Sequence, residues 1–262
     1  MEPADAGGND VTSAEGLWLA GDWDGAAAAF EQLSIDAGPS GLAPRFAWQY
    51  GAVLYLQGET SQALELLTSV HNPEGITADD ALVSAWLGAV LWRSGQVDEA
   101  EMLAAKARRC AIASRDQQAI AAAEVTNALV YAARGDRIAN VRSYRAALRA
   151  AEAAGDVIQT GRILANLASK ALEDGDFARA VADADRSIAI AEAHRPIVGL
   201  ALENKAAALI RLGRLDLAHA AAAGAVEAYA TAGSGDVAAP EFLLGEVYRL
   251  RGDAVQARLA FE

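Results

Sequence analysis

The chain has 262 residues, 53% hydrophobic but only 6% aromatic, and a formal charge of −13. Alanine supplies much of the apolar fraction, which favours helices packed at short range, and the length allows a large core in one or two domains. The apolar clusters are broken by charges well short of the roughly 20 residues that cross a bilayer. The acidic start MEPADAGGND is no secretory signal, and the single Cys110 excludes an internal disulfide framework and fits a reducing, cytoplasmic setting.

In chain order, residues 1–9 are read as a disordered acidic lead and 10–262 as a single helical domain. Helix pairs are predicted at 10–35, 44–71, 78–114, 116–154, 156–194, 196–232 and 237–262. The first 80 residues hold 13 acidic residues against Arg45 alone, a net of −12, while 81–262 balance to −1. That field argues against nucleic acid as a partner of the first third. DAGPSGLAP (36–44) and HNPEGIT (71–77) read as loops. Pro44 and Pro196 fall in first turns, where proline is tolerated, and Thr77-Ala-Asp-Asp80 reads as an N-cap with an acidic first turn.

Residues 106–149 reverse the sign, with nine basic residues against three acidic ones. Arg142, Arg145 and Arg149 share one face of a second helix, on the convex side. That face is either solvated or meets an acidic protein partner, such as the first third of a second copy in a homodimer; duplex DNA is the weaker reading. Of 22 basic residues 19 are arginine, a usage that suggests a GC-rich bacterial genome. No alternating Val/Ile/Thr run argues for a strand. The last pair stops at Phe261-Glu262, which would leave Leu243, Leu244, Tyr248 and Phe261 partly uncovered, so that end is expected to continue into further chain or to pair with something.

The organisation rests on a repeat. Turn glycines recur at Gly21, Gly58, Gly95, Gly135, Gly175, Gly213 and Gly252, spaced 37 to 40 residues apart. Seven residues before each sits Ala14, Gly51, Gly88, Ala128, Ala168, Ala206 or Gly245. Five after each sits Ala26, Ala63, Ala100, Asn140, Ala180, Ala218 or Ala257, with Asn140 the one exception to Gly or Ala. Small residues at facing positions let two helices approach closely, and glycine suits the left-handed residue that ends the first. The aspartate that follows at Asp22, Asp136, Asp176 and Asp253 can cap the second. The same Gly-Asp punctuation stands between units at Gly155-Asp156 and Gly235-Asp236.

This order of small residue, apolar or Tyr residue, Gly, Asp and Ala resembles the tetratricopeptide (TPR) repeat from about residue 10 to the end. The units are longer than that family's usual period of about 34 residues and lack its closing proline. Phrases such as AALRAAEAAGD (146–156) and RSIAIAEAHRP (186–196) resemble the sensor arrays of LuxR-type and maltose-activator-type bacterial regulators. The resemblance implies an all-α right-handed superhelix, an α-solenoid of about seven helical hairpins. It also implies the sensor or partner-binding part of a bacterial transcription regulator, with the first helices lining a concave groove.

The groove candidates are Trp18, Arg45, Trp48, Tyr55, Trp92 and Arg93, then Arg162, Ser169 and Arg211. Trp and Arg are frequent binding anchors. Trp23 and Trp86 read as inter-helix core, whereas Trp48 and Trp92 are expected to be exposed in the groove. By the resemblance, Asn166 and Asn204 stand where peptide-binding members reach a ligand backbone; otherwise they are amides satisfied at solvent or a helix end. The Lys and Asn set of the chaperone-adaptor clamp is missing.

Catalytic patterns are not found. His71, His194 and His219 lack metal-helix spacing, GPSG (38–41) is not a nucleophile elbow, and GSGDVA (233–238) lacks the strand and third glycine of a dinucleotide loop. The expectation is a non-catalytic binder of a protein segment, peptide or small effector, with no cofactor and no metal. A self-associating scaffold, or a docking subunit for an enzyme, is the alternative.

Overall fold

The computed structural model describes residues 8–232 and 237–262. Residues 1–7, most of the expected disordered lead, and 233–236, with the Gly235-Asp236 signal, lie outside the described residues. The chain falls into two compact units, Met1–Asp156 and Val157–Glu262. The first contains α1 (Gly8–Leu19), α2 (Trp23–Ala37), α3 (Pro44–Gln57), α4 (Thr60–Val70), α5 (Ala78–Arg93), α6 (Val97–Ser114), α7 (Gln117–Ala133) and α8 (Arg137–Ala154). The second contains α9 (Val157–Glu173), α10 (Phe177–Ile190), α11 (Arg195–Arg211), α12 (Leu215–Thr231), α13 (Ala238–Arg251) and α14 (Ala254–Phe261). No strand occurs among the described residues.

Each turn glycine takes a left-handed φ, from 69° at Gly213 to 89° at Gly58, which a side chain would strain. The caps form as the sequence implies. Asp22, Asp136, Asp176 and Asp253 each accept from the backbone N–H three residues on, at 2.9 to 3.2 Å, and Thr77 and Asp80 form a reciprocal capping box at the start of α5. Two boundaries differ from expectation. The 36–44 loop is shortened because α2 runs to Ala37 and a 3-10 turn follows at Gly38–Ser40. The fifth pair ends at Ile190 because the chain turns there, with His194 N donating to Ala191 O at 2.8 Å.

All fourteen small positions are buried. A Cβ on Gly51 would lie 2.6 Å from the Leu67 side chain, and one on Gly88 2.9 Å from Thr126, so these helix pairs have no space for even one methyl. Asn140 fits the pattern by chemistry instead of size, donating Nδ2 to the carbonyl of Ala128 at 2.8 Å. Within each unit a first helix packs against its own second helix and, from α3 onward in the first unit and throughout the second, against the next hairpin's first helix. In the first unit Thr126 on α7 donates to Ala85 O on α5 at 2.8 Å. In the second, Ala165, Ala168, Ala184 and Ala201 make one core cluster and Leu209, Ala218, Ala222 and Val247 belong to another. Ten successive residues of α5 (81–90) and of α7 (121–130) are buried, so these first helices form an inner row and the second helices a half-exposed outer row.

Candidate functional site

Residues three and four apart lie on one helix face, so α1 presents Glu15 and Trp18 together while α3 presents Arg45, Trp48 and Gln49. The Trp18 and Trp48 rings meet edge-on, centroids 5.7 Å apart and planes at 68°. Both are buried, at 6% and 4% exposure, so the exposure expected for Trp48 is not found: its ring turns into the seam against Trp18. Burial carries a polar consequence. Neither indole N–H has a hydrogen-bond partner, and Gln49 Oε1 also has none. Gln49 spends its Nε2 on Glu15 Oε1 at 2.8 Å, and Arg45, an exposed side chain, reaches the same oxygen at 3.3 Å. A buried polar group left unmade costs about 1–3 kcal/mol, and this strip concentrates two donors and one acceptor. Glu15 and Gln49 were not singled out from sequence; their spacing from Trp18 and Arg45 was the signal.

The next candidates are structural struts. Tyr55 is 3% exposed and meets Trp86 edge-on at 5.7 Å. Arg93 places its guanidinium 3.6 Å from the centre of the Tyr55 ring and donates Nη1 to Tyr55 O at 2.5 Å, a cation–π contact between hairpins. Trp92 is half-buried against the cluster of Ala100, Ala104 and Val130. Trp23 and Trp86 are buried, as expected of inter-helix core.

In the second unit the groove candidates are largely spent inside the fold. Arg162, expected to face a groove, is buried, and its Nη1 donates to Gln159 Oε1 at 3.1 Å one turn back on α9. Asn204 is buried and ties α11 to α9 through Nδ2 to Ala165 O at 3.1 Å. Asn166 and Ser169 are half-buried. Arg211 is exposed, its guanidinium 5.1 Å from the centre of the Phe177 ring. Arg142, Arg145 and Arg149 are exposed on α8.

The first unit also has a surface cavity of about 320 Å³ where residues 73–76 cross α6, beside Lys106, Arg109 and Cys110. Cys110 is buried there, its Sγ donating to Gly75 O at 3.4 Å. Lys106 Nζ bonds Asn72 O and lies 3.3 Å from His71 Nε2. Burial first, and the neighbouring Lys106 second, hold His71 below the usual imidazole range. Among the described residues no group of three or more His, Cys, Asp or Glu is placed to hold a metal, and no helix is long and apolar enough to cross a membrane.

No protein-family model matches the chain, and no curated protein does. Solved structures do match. The signal-transduction ATPase with a tetratricopeptide repeat sensor from Pyrococcus horikoshii is similar over 97% of this chain and 46% of its own, at 13% identity and a TM-score of 0.62. The APC/C hetero-tetramer Cut9–Hcn1 is similar over 96% of this chain and 44% of its own, at 17% identity and a TM-score of 0.75. NprR in complex with its cognate peptide NprX is similar over 94% of this chain and 73% of its own, at 15% identity and a TM-score of 0.61. The chain therefore spans less than half the length of the first two. Its fold is an all-α, TPR-like stack of helical hairpins.

Proposed function

We propose that the chain is a non-catalytic scaffold that recognises a peptide or protein segment, as the sensor or partner-binding part of a cytoplasmic bacterial regulator. The observation that carries this reading is the strip between α1 and α3, where Trp18 and Trp48 hold unpartnered donors and Gln49 an unpartnered acceptor. An extended polypeptide presents C=O and N–H groups alternately along its length. It complements that strip better than a simple anion, which would leave the Gln49 carbonyl unmet. Because both rings are buried, binding requires the α1/α3 seam to part and let the peptide in. Arg45 at the exposed rim supplies a cation that can meet an acidic side chain or a chain terminus. NprR, which shares the fold, takes a peptide in its solved complex, and this supports the class of ligand without identifying it.

The test begins with a phage-displayed library of random heptapeptides, from which binders are selected on the intact chain. Isothermal titration of a selected peptide then compares the unchanged protein with Trp48→Phe, which keeps the ring and deletes the N–H. Loss of one buried hydrogen bond predicts about tenfold weaker binding, from about 1.4 kcal/mol. No selectable peptide, or equal affinity for both proteins, refutes the reading.

A further inference from the structure

The outer row of the Met1–Asp156 unit segregates charge along its length. Helices α2 and α4 contain Asp24, Glu31, Asp36 and Glu65 and no basic residue at all. Asp24 and Asp36 accept from Gln57 and Gln32, so neither is neutralised. Glu31 and Glu65 are exposed. Helix α8 is mainly basic, with Glu152 as its one acidic residue, and Arg142, Arg145 and Arg149 are exposed and form no ion pair among the described residues. Some exposed arginines find carboxylates, whereas Arg109, Arg115, Arg195 and Arg214, like the α8 trio, form no ion pair among the described residues. Arg134 meets Asp98 and Glu101, Arg249 meets Glu246 at 2.8 Å, and Arg251 meets Asp216 at 2.5 Å.

Three guanidinium groups within two turns of one helix, about 10 Å of its length, repel one another, and Glu152 one turn beyond Arg149 is the helix's only carboxylate against them. We infer that this face docks onto the acidic α2/α4 face of a second copy of the chain. The dimer is two-fold, with each copy's α8 against the other's α2 and α4. Symmetry favours that arrangement, because one docking of unlike faces generates the second by the same rotation and closes the assembly. Duplex nucleic acid is a poorer occupant, since the same unit carries an uncompensated acidic face that repels phosphate. The contact is exposed, and screening at physiological salt acts beyond about 8 Å, so the dimer is strongly salt-dependent. This inference does not require that the α1/α3 strip bind peptide.

Sedimentation velocity on the intact chain at 50 and 500 mM NaCl tests it. The unchanged protein is expected to dimerise at the lower salt and to dissociate at the higher. R142E/R145E/R149E makes the α8 face acidic like α2/α4 and E31R/D36R/E65R reverses the acidic face, so each alone is expected to be monomeric at both salts. Circular-dichroism melts establish that both variants fold. Mixed in equal amounts at 50 mM NaCl, the two variants are expected to restore a dimer, because each now complements the other. A monomeric unchanged protein at 50 mM NaCl, or a mixture that stays monomeric, overturns the inference. So does binding of a 20-base-pair duplex that the triple arginine variant loses while the unchanged protein remains monomeric.

Discussion

Replacing Gly161 by alanine tests the packing argument where the structure leaves least room. A Cβ at that position would lie 2.5 Å from Cβ of Ala191, with Cγ2 of Ile197 at 3.4 Å and Cα of Ala191 at 3.7 Å. The obstructing atom is a short methyl fixed to backbone, so no side-chain rotation relieves it. Ser187 Oγ also pins the Gly161 carbonyl at 2.7 Å, holding α9 against the end of α10. Non-bonded carbons settle at about 3.5–4 Å, so the helices must separate by about 1 Å and loosen the contacts around Ala191 and Ile197. Alanine recovers about 0.5–1 kcal/mol of helix propensity, against about 1–3 kcal/mol for overpacking. The net loss of about 1–2 kcal/mol lowers Tm by about 2–4 °C for a chain of this size. Gly16→Ala is the matched control, because nothing lies within 4 Å of its Cβ position, and it should raise Tm slightly. Differential scanning calorimetry compares the two. If Gly161→Ala melts at or above the unchanged protein, the close-approach reasoning fails.

Asn140→Ala restores the small residue that the repeat leads one to expect. It gives up the 2.8 Å bond to Ala128 O but removes the buried Oδ1 that has no partner, and it gains helix propensity. Urea unfolding should show a change within about 1 kcal/mol, in the stabilising direction; a loss above about 2 kcal/mol contradicts this accounting. Acid should destabilise through His194, whose burial lowers its pKa. The unfolded chain takes up that proton near the ordinary value of about 6.5 while the folded one resists. This contribution to stability is therefore complete above that pH and drains away as the pH falls below it. Urea midpoints from pH 7 to pH 5 should fall less steeply in His194→Gln; identical slopes would remove His194 as a cause.

The repeat was legible because its residues act locally. Glycine spacing places the left-handed turns, the following aspartates cap the helix they begin, and alanine or glycine at fixed offsets puts small side chains where two helices touch. The candidate site was legible only as a face. Trp48 lies on the expected side of α3, but its burial depends on Trp18, thirty residues earlier on another helix, which a single-helix pattern does not encode. Arg162 misled for a related reason: α9 is buried nearly throughout from Ile158 to Ala171, so a charge that looks surface-bound is enclosed and paired with Gln159. Arg93 likewise resembles a binding anchor until the Tyr55 ring beneath it is seen. Asn204 stands at a ligand-reading position by resemblance and uses its N–H to join two helices.

The most direct measurement follows the indole N–H signals of the five tryptophans by nitrogen-15 NMR as a selected heptapeptide is added. Trp18 and Trp48 carry the strip's unpartnered donors, so their two resonances should move downfield together and saturate with the peptide, while the core residue Trp23 stays in place. Saturable peptide binding that leaves the Trp18 and Trp48 signals unmoved would contradict the assignment of recognition to this strip.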